Sequence, residues 1–83
     1  MNFANKKYLG EIIGWYGAAA IVVAYALVSF SVITPTDMLY QVLNLTGGIG
    51  IIINSFLHKA YPPGILNTIW SIIAIIAILK IIF

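Results

Sequence analysis

The chain has 83 residues, 63% hydrophobic and 7% charged, with a formal net charge of +2 and no cysteine. A soluble domain carries about 25% charged residues, so an ordinary water-soluble core is excluded, and the missing cysteine excludes disulfides, thiolate metal sites and thiol nucleophiles. Lys6, Lys7, Lys59 and Lys80 are scattered and form no basic stripe, which excludes a nucleic-acid footprint, and the length bounds the chain to a single domain, 1–83.

A membrane helix needs about 20 mainly apolar residues to cross a hydrocarbon core of about 30 Å. Three segments qualify, at approximately 10–33, 35–57 and 63–83. The first follows Lys6 and Lys7, and its apolar run exceeds the roughly 7–15 residues of a secretory signal, so it reads as a permanent helix. Glu11, the only acid in or near a span, lies within a turn of Lys7 at i−4. That spacing predicts an interfacial pair; the alternative is a proton-coupling carboxylate.

Thr34-Pro35-Thr36-Asp37 then reads as a helix start. Thr34 caps, Pro35 takes the first helical position, and Asp37 returns a hydrogen bond as in a capping box. The second segment, LYQVLNLTGGIGIIINSF, carries a glutamine, two asparagines and three glycines inside a span. Tyr61-Pro62-Pro63-Gly64 breaks the chain again and launches the third, Ile-rich helix. Tyr8, Trp15, Tyr40 and Tyr61 fall near helix ends, where amphipathic rings prefer the interface. Lys6, Lys7, His58 and Lys59 fall on one side and Asp37 on the other, so the positive-inside bias places the N-terminus and the second loop in the cytoplasm.

At about 100° per residue, each helix gathers its small and polar residues on one face. Gln41, Asn44, Gly48, Ile51 and Ser55 share an arc of the second helix, with Asn54 to one side. Gly64, Asn67, Ser71 and Ala74 share one in the third. In the first, Glu11, Trp15, Ala18, Val22, Tyr25 and Ser29 line up beside a smooth edge of Gly10, Gly14 and Gly17. These faces are expected to meet other helices. Their amides are then either interhelical hydrogen-bonding glue, worth about 0.6–2 kcal/mol each, or the lining of a polar cavity near mid-bilayer.

No catalytic apparatus is evident. His58 is the only histidine and has no acid near it in sequence, whereas a metal needs several convergent donors. No metal, cofactor or enzymatic activity is expected. Three helices make a poor pore alone, which predicts a symmetric homodimer with the Gly10/Gly14/Gly17 edge as candidate contact.

Tyr40-Gln41, Leu43-Asn44, Gly47, Gly50, Asn54-Ser55, Pro62, Leu66-Asn67 and Trp70 carry a resemblance, over nearly the whole chain, to a Coxiella-type domain of unknown function found in small bacterial integral membrane proteins. More distantly the chain resembles the SemiSWEET and PQ-loop half-transporters, three-helix units that dimerise around a sugar pathway. The three-span layout, Gly14-Trp15, and a proline shortly before Asn67 carry that likeness. It implies a substrate contact at Asn67, a SemiSWEET-like bundle and a dimer. The proline–glutamine pair of that group's first helix is replaced by Ala24-Tyr25, and Ile51 stands near its pocket tryptophan.

The expectation is an all-α, three-span membrane bundle, transporter-like, set in the bacterial inner membrane. It handles a small polar solute through Asn67, Asn44, Ser71, Tyr25 and Gln41. The alternative is a non-transporting scaffold or accessory subunit whose amides hold helices together.

Overall fold

A computed structural model describes residues 3–83, with side chains from Tyr8 onward. Its elements are three α-helices, α1 Phe3–Ser29, α2 Met38–Leu57 and α3 Tyr61–Ile82. Each is long and apolar enough to cross a membrane, over Tyr8–Ser29, Met38–Leu57 and Tyr61–Ile82. The bundle measures 41 × 24 × 23 Å, and its long axis matches a bilayer with its headgroups, about 40–45 Å.

Local hydrogen bonding moves the helix ends from the expected positions. α1 stops at Ser29, short of residue 33, because Ser31 turns left-handed at φ 61°. The N–H groups of Ser31 and Val32 then donate to Val28 O at 3.0 Å and Leu27 O at 2.9 Å, closing a Schellman motif. α2 ends the same way. Lys59 adopts φ 56°, with Ala60 N–H donating to Ser55 O at 2.7 Å and Lys59 N–H to Phe56 O at 3.2 Å.

α2 starts at Met38, not Pro35, because Pro35 and Thr36 form a turn first. The return bond expected of Asp37 is present, with Oδ2 accepting Thr34 N–H at 2.9 Å. Thr34 does not cap the helix, since its hydroxyl instead meets that of Thr36 at 3.1 Å. α3 begins at Tyr61, slightly before the expected Pro63, with proline in its first turn. The N–H that proline lacks there would have no helical partner anyway.

α2 is the centre of the bundle. It packs against both α1 and α3, and among the described residues those two do not pack against each other. The seam between α1 and α2 is built on glycines. A methyl on Gly17 would collide with the Gly47 carbonyl oxygen, and one on Gly50 would sit 2.7 Å from Ile13 O. Only hydrogen at these positions lets the backbones come so close. Asn54 Nδ2 donates across the seam to Gly10 O at 2.9 Å, and Tyr16 Oη meets Thr46 Oγ1 at 2.9 Å.

The buried face of α3 is Gly64, Asn67, Ser71 and Ala74, as the periodicity predicts. α1 departs from expectation. Its buried row is Gly10, Gly17, Ala20 and Ala24, whereas Trp15, Val22 and Tyr25 are 73%, 66% and 72% exposed. The glycine edge expected to hold a second copy is therefore occupied within the chain: Gly10 meets Leu57, Gly14 meets Asn54, and Gly17 meets Gly47 and Ile51. A smooth glycine row fits another backbone more closely than a row of bulky rings does, so it wins the intrachain contact.

Candidate functional site

Because α1 and α3 flank α2 without packing together, a cleft runs between them with α2 as its floor. It holds a cavity of about 510 Å³, in the range of small-molecule sites. Gln41 and Asn44 of α2, Asn67 of α3 and Tyr25 of α1 line it, joined by the rings of Tyr40 and Trp70. Aliphatic side chains complete the wall, and among the described residues no charged one contributes. The cavity extends from the end of the bundle bearing the α1–α2 connection toward its middle, where Gly48 faces Asn67 and Ser71.

Asn67 is the most constrained polar group in the lining. It is 6% exposed, and its Nδ2 folds back to donate to Pro63 O at 2.9 Å, one turn earlier in α3. Its Oδ1 is buried with no partner. An orphaned buried acceptor costs about 1–3 kcal/mol, so such atoms are rare in folded chains. Gln41 is partly engaged nearby, its Nε2 donating to Pro35 O at 2.8 Å, which leaves its oxygen as an acceptor.

Four of the five residues expected to share a site are thus brought together: Asn67, Asn44, Tyr25 and Gln41. Ser71 is not. It is buried behind the wall, with Oγ 2.6 Å from where a methyl on Gly48 would lie, and that hydroxyl also has no partner. The cavity reaches nearer one end of the bundle than the mid-bilayer position expected. Trp70 was missed as a lining residue, although it lies three positions beyond Asn67, close to the same flank. Tyr40, an interface anchor by its place near a helix end, also lines the cavity.

A second, smaller cavity of about 270 Å³ lies toward the other end, lined by Glu11, Gly14, Trp15, Ala18 and Asn54. The contact of Ile51 with Gly17 falls between Gly14, on the smaller cavity, and Ile21, on the larger. The face Glu11, Trp15, Ala18, Val22, Tyr25 expected on α1 therefore exists, but it lines open clefts instead of packing on a helix.

Glu11 has a partner that sequence distance concealed. His58 Nε2 lies 3.0 Å from Glu11 Oε1, and His58 Nδ1 lies 2.8 Å from Asn54 O. A carbonyl can only accept, so Nδ1 donates. The expected pairing of Glu11 with Lys7 involves a side chain outside the described residues. Asn54 ties the arrangement together, with its amide on Gly10 and its carbonyl on His58.

Three apolar helices around a cleft that carries a few polar groups define a small multi-pass membrane protein. The chain belongs to the Coxiella-named family, an uncharacterised family whose model matches residues 10–83. No curated protein and no solved structure matches it.

Proposed function

We propose that this protein is transporter-like, binding or moving a small polar, uncharged solute in the cleft between α1 and α3. The observation that carries the reading is Asn67, a nearly buried amide on a 510 Å³ cavity whose Oδ1 has no partner. Because that oxygen is buried, a solute hydroxyl or N–H would satisfy it once the Asn67 side chain rotates toward the cavity. Asn44 and Gln41 would supply further hydrogen bonds, and Tyr25, Tyr40 and Trp70 would offer apolar ring faces. The lack of charge in the lining favours a neutral solute over an ion. A homodimer belongs to the same proposal, because the cleft is open along one side and a second copy could close it. A SemiSWEET-like pathway, set in a bacterial inner membrane with the N-terminus in the cytoplasm, is the form we infer for it.

The second reading, a scaffold or accessory subunit, is favoured by Asn54, whose amide bridges α2 to the α1 backbone. There the amide acts as glue. Both roles can coexist, since Asn54 and Asn67 serve different seams.

The chain has no cysteine, so single cysteines can be placed at Tyr25, Asn44 and Asn67, with Ser71 and Ile75 as controls. Each is challenged in oriented membranes with a water-soluble thiol reagent. A hydrated solute pathway predicts labelling of the first three and protection of Ser71 and Ile75. Protection of all five means a dry bundle and refutes the transporter reading.

A further inference from the structure

We propose that the smaller cleft binds a small organic ammonium ion, primary or quaternary, as carried by a free amine or by the headgroup of a membrane lipid.

The chemistry of its lining points that way. Among the described residues the one ionisable side chain lining the cleft is the Glu11 carboxylate. Its Oε1 is engaged by His58 at 3.0 Å, and a carboxylate has about four lone-pair sites on its two oxygens, so it has capacity for a further donor. Asn54 has its Nδ2 committed to Gly10 O at 2.9 Å, which leaves its Oδ1 as a second acceptor. Trp15 is 73% exposed and presents a ring face. Gly14 and Ala18 contribute the small side chains that open the space. Two oxygen acceptors, one of them on the carboxylate that His58 already pairs, and an indole make a site for a cation with apolar substituents, because a carboxylate can take a second donor and such a cation also gains from the π-face.

The volume and location agree. About 270 Å³ is at the lower edge of ligand cavities, suited to a headgroup and too small for a drug-sized molecule. Glu11 lies about one helical turn inside the span that starts at Tyr8. This is the depth at which the amine of a lipid headgroup, or an amine entering from water, would meet the bundle. Among the described residues His58 is the one ion-pair partner of Glu11. No group of three histidine, cysteine or acidic residues that could hold a metal ion is present among the described residues. An organic cation therefore fits the donor set better than a metal ion.

This site is separate from the solute cavity, with the Ile51–Gly17 contact between them, so either proposal can fail alone. The test uses the intact protein in phosphatidylglycerol vesicles, in a Trp70→Phe background that leaves Trp15 as the sole tryptophan. Choline chloride is titrated against Trp15 emission, with 3,3-dimethylbutan-1-ol as the uncharged isostere. The expected result is a saturable change with choline and none with the isostere. Affinity should fall at least tenfold in Glu11→Gln, and also in Ala18→Leu, which fills the cleft. Repeating the titration with phosphatidylethanolamine in the vesicles separates the sources. Competition by that lipid assigns the site to a headgroup, and unchanged choline binding assigns it to a free amine. Equal responses to choline and its isostere on the parent protein overturn the proposal, whatever the variants do. So does saturable binding that survives Glu11→Gln in a protein of unchanged helicity.

Discussion

Replacing Asn67 with leucine separates a ligand group from a structural one, and the outcome can be worked from the local geometry. The change removes one hydrogen bond, from Nδ2 to Pro63 O at 2.9 Å, worth about 0.5–1.5 kcal/mol. It also removes a buried oxygen without a partner, relieving about 1–3 kcal/mol of desolvation. Pro63 O is not left bare, because it lies in the first turn of α3 where the helix ladder supplies an N–H from four residues on. The balance runs from a loss of about 0.5 kcal/mol to a gain of about 2.5 kcal/mol. Asn67→Leu should therefore fold as well as the parent or better, while losing solute binding. Asn54→Ala is the counterpart: its amide bridges two helices, and its removal should cost about 0.6–2 kcal/mol. Reversible unfolding in mixed micelles, followed by helix ellipticity, measures both on one scale. A loss above about 2 kcal/mol for Asn67→Leu would refute the reasoning, since it would mean that Oδ1 is satisfied within the bundle and that Asn67 is glue.

Two further predictions concern the scaffold. Gly50→Ala sets a methyl 2.7 Å from the Ile13 carbonyl oxygen and should destabilise by about 1–3 kcal/mol through forced separation of α1 and α2. Gly10→Ala meets only the mobile end of Leu57 and should change little; equal losses from the two in the same unfolding assay would argue against close backbone packing. Lys59 closes α2 at φ 56°, a conformation that costs a non-glycine residue about 1 kcal/mol. Lys59→Gly should recover roughly that amount, and a net loss would mean that the lysine side chain contributes more than its backbone strain costs.

Much of the solute cavity was legible in the sequence. Asn44, Gln41, Tyr25 and Asn67 are found by projecting polar residues around each helix, because a polar side chain inside a span must turn from lipid toward protein or water. Ser71 shares that projection with Asn67 and is as buried, yet its hydroxyl lies against Gly48 and not on the cavity, a difference of packing that angular position does not carry. The pairing of Glu11 with His58 was hidden because the two lie on different helices and meet only when those helices pack.

Length and hydropathy by themselves determined that this chain makes three membrane-length helices, since a bilayer imposes the same requirement on every span whatever its neighbours. The prolines and the Asp37 turn determined where the chain reverses, because those effects are local. Only the tertiary structure decided which helix is central. Rotation about a helix axis and choice of neighbour depend on steric fit between two surfaces, and here the glycines of α2 fit α1 on one side and α3 on the other. That choice leaves α1 and α3 apart with a cleft between them. It also gives two asparagines of the same chemistry different positions, Asn54 bonded across a seam and Asn67 with an oxygen that no group among the described residues satisfies.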